Sequence, residues 1–141
     1  MDVATWAVEM LATARVARLA TADRAGQPLV VPVCYAFVDG RIYSAVDAKP
    51  KRTRELRRLR DIADNPRVSL VVDVWDEDWA RLAWVLVEGT AGILTTDLER
   101  TPALAALVAK YPQYAAMDLL STAGPVIAIT PARVVAWRAA G

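Results

Sequence analysis

The chain has 141 residues, a formal net charge of +1, one cysteine and no histidine, and 55% of its residues are apolar. This length suits one domain with a substantial core. The missing histidine excludes Ser-His-Asp and Cys-His nucleophile sites and the usual zinc hydrolase sites. The single cysteine, Cys34, excludes an internal disulfide and a cysteine-based zinc site. If the protein is an enzyme, we therefore expect a bound cofactor, and no metal, to supply the difficult chemistry.

The sequence also bears on the compartment of the protein. No apolar run approaches the roughly 20 residues that are needed to cross a bilayer. The N-terminal segment carries the acidic residues Asp2 and Glu9 in place of the basic start of a signal peptide. We therefore expect a cytoplasmic protein that does not bind a membrane.

The first part of the chain predicts one helix followed by a three-stranded meander. Residues 5–14 have the apolar spacing of a short amphipathic helix, and the expected strands cover residues 16–22, 28–38 and 41–46. The Asp39-Gly40 pair is a strong hairpin signal between apolar strands. The strand over residues 28–38 is apolar on both faces, so we expect it to be covered on both sides.

Pro32 interrupts this second strand, because proline donates no hydrogen bond to a strand ladder. The interruption is consistent with a bulge or a barrel corner, which the residues taken alone favour. Alternatively, it leaves neighbouring N–H and C=O groups free to contact the polar edge of a planar ring.

Basic side chains crowd into residues 47–60, directly after the third strand. We predict a helix over residues 51–64, ended by Asn65-Pro66, whose later arginines form an ordinary solvated face. Cations at the helix start are different, because they oppose the helix dipole. Together with the free backbone N–H groups, they favour a bound phosphate. The residues expected to hold it are Lys49, Lys51, Arg52 and Thr53, the last of which can instead cap the helix.

The second part of the chain predicts two further strands, over residues 68–75 and 83–94, joined by an acidic loop at residues 76–78. Gly89 and Gly92 in the longer strand indicate a sharp bend or the close approach of another backbone. Three tryptophans surround the connection, where they either line a pocket or belong to the core or a dimer contact: Trp75, Trp79 and Trp84.

Two helices and the last strands complete the predicted fold. The first helix begins at Thr96-Asp97 and is broken at Tyr111-Pro112, and the second ends near Leu120. The final strands cover residues 125–130 and 134–138, with a bend at Pro131. We therefore predict an α+β, mainly β fold in which residues 1–141 form a single domain, a six-stranded antiparallel barrel with short flanking helices.

The order of these motifs resembles the flavin-binding split-barrel family that includes pyridoxamine 5′-phosphate oxidase. The similar features are the second strand with Pro32, the Asp39-Gly40 hairpin and the basic helix closed by residues 65–68. Residues 47–52 and 76–79 resemble the branch of probable coenzyme F420-dependent oxidoreductases. The resemblance covers nearly the whole chain and implies a split β-barrel that forms a homodimer, with two cofactor sites at the subunit interface.

The resemblance also implies where the cofactor lies. The flavin or deazaflavin ring contacts the second strand at Val31, Pro32 and Val33, and the third strand flanks it at Ser44, Ala45 and Val46. Its phosphate is held by the basic residues at the start of the helix. Trp79 and Trp84 close the site, from the same subunit or from the partner subunit, and the resemblance assigns no catalytic side chain.

The function implied by this resemblance is hydride transfer between coenzyme F420 and a small, largely apolar or unsaturated substrate. Any proton comes from Tyr35, Tyr43 or solvent. FMN-dependent chemistry and a non-enzymatic flavin carrier remain alternatives, because FMN also ends in a phosphate. Vitamin B6 oxidation is not expected, because the chain has no histidine and Arg133 and Arg138 do not reproduce the substrate-phosphate pattern of that enzyme. Nucleic-acid binding is disfavoured by the net charge of +1.

Overall fold

The computed structural model describes residues 2–47, 53–119 and 123–139. A 3₁₀ turn at Trp79–Arg81 lies between the fifth and sixth strands. The remaining elements, in chain order, are α1 (Thr5–Thr13), β1 (Ala17–Ala22), β2 (Pro28–Val33), β3 (Ala36–Val38), β4 (Arg41–Asp47), α2 (Thr53–Asp64), β5 (Arg67–Val74), β6 (Ala83–Leu94), α3 (Asp97–Lys110), α4 (Pro112–Ala116) and β7 (Ala123–Arg138).

The strands form one antiparallel sheet that closes on itself. Its order is β2-β1-β5-β6-β7-β4-β3, so β2 and β3 are opposite edges of the sheet. Only Cys34 and Tyr35 separate these two strands in the chain. Because the three Cα–Cα steps from Val33 to Ala36 span at most about 11 Å, the sheet must curl until its edges meet. The result is the predicted antiparallel split barrel.

In the described residues the sheet has seven strands, where the sequence predicted a six-stranded barrel. The single strand expected over residues 28–38 is broken at Cys34-Tyr35 into β2 and β3, which pair with different partners, β1 and β4. Conversely, the two last strands expected around Pro131 are one continuous strand, β7. The break arises because the chain passes from one edge of the sheet to the other at this point.

Pro32 does not interrupt the pairing of β2. It lies opposite Arg18 of β1 within a continuous register from Ala17↔Val33 to Ala22↔Pro28. Because β2 is an edge strand, proline is tolerated where its missing N–H would face away from the neighbouring strand. The expectation that both faces of this strand are covered is also wrong within one chain, since Val31 and Val33 face the core while Val30 is 60% exposed.

Two bulges lie in β7, and both contain a proline. Between the pairs Glu88↔Arg133 and Gly89↔Pro131, β7 carries one extra residue, Ala132. Between Ala45↔Val126 and Asp47↔Ala123 it again carries one more residue than β4, next to Pro125. Bulges of this kind increase strand bending, so they allow one long strand to serve both halves of the barrel.

Helices cover the ends of the barrel. Ala7 and Leu11 of α1 are buried in the main core, which also contains Leu19, Val72 and Val85. A second cluster packs α3 against β3 and the start of β7, with Leu104, Leu107 and Val126 at its centre. The predicted start of α3 is confirmed, because Thr96 Oγ1 accepts a hydrogen bond from Glu99 N at 3.3 Å as an N-cap.

Candidate cofactor site

The candidate site lies where the two edges of the barrel meet. Ser44 of β4 is buried, and its Oγ donates a hydrogen bond of 2.9 Å to the carbonyl oxygen of Cys34. This contact holds the middle of β4 beside the C-terminal end of β2, because Cys34 directly follows Val33. The structure therefore brings together two of the three predicted parts of the site, residues 31–33 and residues 44–46.

The six strand residues predicted to contact a cofactor do not share one environment. Val33, Ser44 and Val46 are buried, Val31 and Ala45 are half-buried, and Pro32 is exposed. Val31 and Val33 pack into the main core, and Ala45 packs against the second cluster. These side chains therefore shape the barrel wall, and a planar ring would meet the exposed ring of Pro32 and the backbone edge of β2.

The edge of β2 offers backbone groups to such a ring. Within the described residues, β2 pairs only with β1. Every second residue of an edge strand directs its N–H and C=O groups away from the sheet. With Pro32 placed as described above, the outward groups of β2 near the site are the N–H and C=O of Val30 and the C=O of Pro32, which has no N–H. They offer one donor and two acceptors to the polar edge of a flavin or deazaflavin ring, so the strand fits the group that the sequence predicted there.

The predicted phosphate-binding residues are described only at their C-terminal end. Lys49, Lys51 and Arg52 lie outside the described residues. β4 ends at Asp47 and α2 begins at Thr53, so Thr53 occupies the expected position at the helix start. The first N–H groups of a helix have no intrahelical acceptor and carry partial positive charge. A phosphate at this end of α2 would be favoured by both properties.

Arg57 departs from the solvated role that its place in a basic helix predicted. Its Nη2 donates to the carbonyl oxygen of Gln27 at 3.0 Å, and its Nε lies 3.6 Å from Asp61 Oδ2. Asp61 is 1% exposed and accepts a hydrogen bond of 2.9 Å from Thr21 Oγ1. Local patterns in the sequence do not indicate this network, because the partner on β1 is 40 residues away and the partner in the β1–β2 turn is 30 residues away.

The tryptophans do not reach this site within one chain. Trp79 is 67% exposed and makes an edge-to-face contact with Trp75, their centroids 6.5 Å apart. Trp84 is half-buried on β6, where it lies opposite Asp73 and Trp137. Because β5 and β1 lie between β6 and β2 in the sheet, Trp84 is separated from residues 31–33 by two strands.

A second polar cluster lies behind the junction of β2 and β3. Tyr35 Oη donates to the carbonyl oxygen of Leu11 at 2.5 Å, and Tyr35 N donates to Tyr111 Oη at 3.2 Å. The Lys110 ammonium lies 3.9 Å from the centroid of the Tyr35 ring. The Arg15 guanidinium lies 4.5 Å from the centroid of the Tyr111 ring. This cluster ties α1 and the end of α3 to the closing point of the barrel.

Burial sets the protonation properties of this cluster. It raises the pKa of Tyr35, to which Tyr111 also contributes. It lowers the pKa of Lys110 from 10.5 to about 8, assisted by the positive charge of Arg15 and opposed by Cys34. The hydroxyl of Tyr35 is fully buried, engaged with Leu11 and harder to ionise, so it is poorly suited to give a proton to a substrate.

Tyr43, the other tyrosine considered as a proton source, lines a separate pocket. This pocket has a volume of about 270 Å³ and lies between the β3–β4 hairpin and α3, where Arg41, Glu99 and Ala103 also line it. Tyr43 faces the second core cluster from one side of the pocket.

Two further classes of site are absent from the described parts of the chain. No three His, Cys, Asp or Glu side chains are grouped there as a metal ion would require. None of the helices in residues 2–47, 53–119 and 123–139 is both long and apolar enough to cross a membrane.

Known proteins similar to this chain share the architecture. A family model described as pyridoxamine 5′-phosphate oxidase matches residues 6–138, whereas no curated protein sequence matches significantly. A conserved hypothetical protein of Mycobacterium tuberculosis is 22% identical with a TM-score of 0.74, covering 99% of this chain and 87% of that one.

Two proteins of similar structure have a ligand in their names. A FAD-binding protein of Mesorhizobium loti is 26% identical with a TM-score of 0.70, and 96% of this chain and 94% of that one are covered. The haem storage protein HutZ of Vibrio cholerae is 14% identical with a TM-score of 0.74, and the coverage is 98% of this chain and 95% of that one.

Proposed function

Because the chain belongs to the pyridoxamine 5′-phosphate oxidase family, we propose that it binds a phosphorylated flavin-type cofactor at the junction of β2, β4 and α2. The cofactor that we propose is coenzyme F420, and the activity is that of an F420-dependent oxidoreductase. One observation carries this proposal. The open edge of β2 is joined through Cys34 to Ser44 in the middle of β4, and from the end of β4 the chain leads through a basic segment into the start of α2.

The parts of the site have distinct roles in this proposal. The edge of β2 at Val31, Pro32 and Val33 contacts the polar edge of the ring, and Ser44, Ala45 and Val46 form the wall beside it. Lys49, Lys51, Arg52 and Thr53 bind the phosphate, whose negative charge offsets the repulsion between these cations and the helix dipole.

The bound cofactor supplies hydride chemistry, and the chain supplies position and a site with little water. No side chain is assigned as a catalytic residue. Tyr35 does not provide a proton, because its hydroxyl is buried and donates to Leu11. The substrate class that suits an apolar barrel edge is small and largely apolar or unsaturated, and no metal ion is involved.

FMN is the alternative cofactor, and a specific observation favours keeping it. The FAD-binding protein of Mesorhizobium loti is 26% identical to this chain over nearly its full length, which supports a flavin-type ring. FMN carries a terminal phosphate and would use the same cations at the start of α2. A protein that only carries a flavin would also need these contacts, and it would differ in lacking turnover.

The active form in this proposal is a homodimer of single-domain chains. One row across the outer face of the sheet, Pro32–Arg18–Val71–Leu86–Val135, is apolar except for Arg18. Arg18 is paired with Asp73 at 3.1 Å. A second copy on this face would bury the row, and it would allow Trp79 and Trp84 to approach the partner's cofactor. We propose no nucleic-acid or membrane partner and a cytoplasmic location.

The phosphate contact is tested with two double variants of equal charge. Lys51→Ala with Arg52→Ala removes the two proposed contacts. We expect the Kd for the phosphorylated cofactor to rise at least about a hundredfold, because bonds to charged groups contribute about 1.5–3 kcal/mol each. Arg60→Ala with Arg67→Ala removes two exposed cations elsewhere. This control should change the Kd less than about threefold. Equal losses in both double variants would indicate general electrostatic attraction and would refute the phosphate site.

A further inference from the structure

Asp61 of α2 is a buried carboxylate that the cofactor contacts described above do not use. Only 1% of the residue is exposed. Its Oδ2 accepts a hydrogen bond of 2.9 Å from Thr21 Oγ1 on β1 and lies 3.6 Å from Arg57 Nε, one helical turn earlier. A charged group is costly to bury unless it is paired and hydrogen-bonded. The partners of Asp61 meet this requirement in the folded protein.

The network continues from α2 to the turn between β1 and β2. Arg57, held by Asp61, donates through Nη2 to the carbonyl oxygen of Gln27 at 3.0 Å. The helix is therefore attached by directional contacts at two points, at Thr21 on the strand and at Gln27 in the turn. Asp64 on the same helix differs, because it pairs at 3.2 Å with Arg24, whose side chain is 83% exposed.

These attachments control the direction of α2. The apolar contacts of Leu59 and Ile62 with the main core are non-directional, so they allow a small tilt that the hydrogen bonds resist. Thr53 precedes Asp61 by eight residues, or about 12 Å of helix. A tilt of about 10° around Asp61 would therefore move the start of α2 by about 2 Å, which exceeds the range of a good hydrogen bond.

We propose that Asp61, together with Arg57 and Thr21, is a positioning residue that aims the first turn of α2 at the cofactor phosphate. This inference rests on the proposed function, because it assumes that a phosphate binds at that helix start. It assigns to the buried carboxylate a role in ligand selectivity, in addition to its role in stability.

Asp61→Asn tests the inference, since it keeps the size of the side chain and removes its charge. Two pairs of probes separate a phosphate effect from a general one: FMN against riboflavin, and coenzyme F420 against its deazaflavin chromophore without the phosphate-bearing tail. We expect the Kd of the phosphorylated probe to rise about tenfold or more, as for the loss of one charge-assisted contact. The Kd of its phosphate-free partner should stay within about threefold.

Asp64→Asn is the matched control, because it makes the same charge change on the same helix at an exposed pair. In Asp64→Asn, the Kd of each probe should stay within about threefold of its wild-type value. If Asp61→Asn does not fold, Thr21→Val removes only the hydroxyl that binds Asp61, and the same change in the ratio of the two Kd values is expected.

The outcomes separate this inference from the proposed function. Wild-type protein that binds neither FMN nor coenzyme F420 overturns the proposed function and the inference with it. Wild-type protein that binds one of them, with Asp61→Asn weakening both members of the pair equally or neither, overturns only the positioning role of Asp61.

Discussion

Gly89 is the residue at which a single added methyl group should disturb the barrel most directly. It lies on β6 opposite Pro131, next to the bulge at Ala132. A Cβ at this position would lie 3.0 Å from Pro131 Cα and 3.0 Å from the carbonyl carbon of Thr130, and it would overlap the Thr130 carbonyl oxygen. All three are backbone atoms, so no side-chain rotation relieves the contact.

The size of the effect follows from the balance of two terms. Forcing extra volume into a packed site costs about 1–3 kcal/mol. Replacing glycine by alanine also restricts the unfolded chain, which favours folding by about 0.4–1 kcal/mol at an unstrained site. Because the overlap is with backbone atoms, we take the first term near the upper end of its range. Gly89→Ala should then lower the free energy of unfolding by about 2 kcal/mol and the Tm by about 4–8 °C for a chain of this length.

Gly92 provides the matched control on the same strand. A Cβ there would meet nothing within 4 Å, so Gly92→Ala should change the free energy of unfolding by less than about 1 kcal/mol. Urea denaturation followed by tryptophan fluorescence measures both variants. If the two substitutions have equal effects, or if Gly92→Ala is the more damaging, the close approach of β7 to Gly89 is not the cause and the reasoning is refuted.

Two further predictions concern Lys110 and the outer face of the sheet. The pKa of Lys110 is about 8 in the folded protein against 10.5 ordinarily. Between these two pH values the unfolded chain therefore binds more protons than the folded protein. The free energy of unfolding of the wild type, relative to that of Lys110→Met, should therefore rise as the pH increases from 8 to 9.5. Urea denaturation of both proteins measures this difference. If it stays constant over this pH range, the prediction is contradicted. Val30 is 60% exposed on the face proposed to meet a second copy. Val30→Glu places a charge there and should shift the molar mass measured by light scattering from that of a dimer towards that of a monomer. The control is Leu98→Glu on α3, at a residue that is 88% exposed, and it should leave the dimer intact. A wild-type protein that is monomeric in light scattering would refute the dimer itself.

Local signals in the sequence predicted the elements that depend on local chemistry. The Asp39-Gly40 hairpin is confirmed, with both residues at positive φ, 50° and 78°, as a tight two-residue turn requires. The predicted start of α3 at Thr96-Asp97 is also confirmed, and the structure shows Thr96 as its N-cap. Such features involve neighbours in the chain, so their residue types are sufficient to indicate them.

Features that depend on closure of the barrel were not predictable in this way. The break at Cys34-Tyr35 lies in an apolar run, and it exists because β2 and β3 belong to opposite edges of the sheet. The burial of Asp61 depends on Thr21, 40 residues earlier. In the sequence, Asp61 lies within a charged helix and resembles part of a solvated face.

The candidate site was predictable to a similar extent. The sequence indicated its strands, and the structure brings Val33 and Ser44 together through the hydrogen bond to Cys34. The sequence did not indicate that Arg57 would be hydrogen-bonded to the β1–β2 turn. The choice between a deazaflavin and a flavin stays a prediction, because the phosphate end that the basic residues would bind is common to both.

Binding of a phosphorylated flavin-type cofactor by the wild-type protein is the most direct test of this account. Isothermal titration with coenzyme F420 and FMN, beside riboflavin as the phosphate-free probe, measures the three affinities under one set of conditions. We predict binding of coenzyme F420 or FMN with a Kd in the micromolar range or below, about ten times or more tighter than riboflavin. Failure of both phosphorylated cofactors to bind, or affinities equal to that of riboflavin, would contradict a phosphate site at the start of α2.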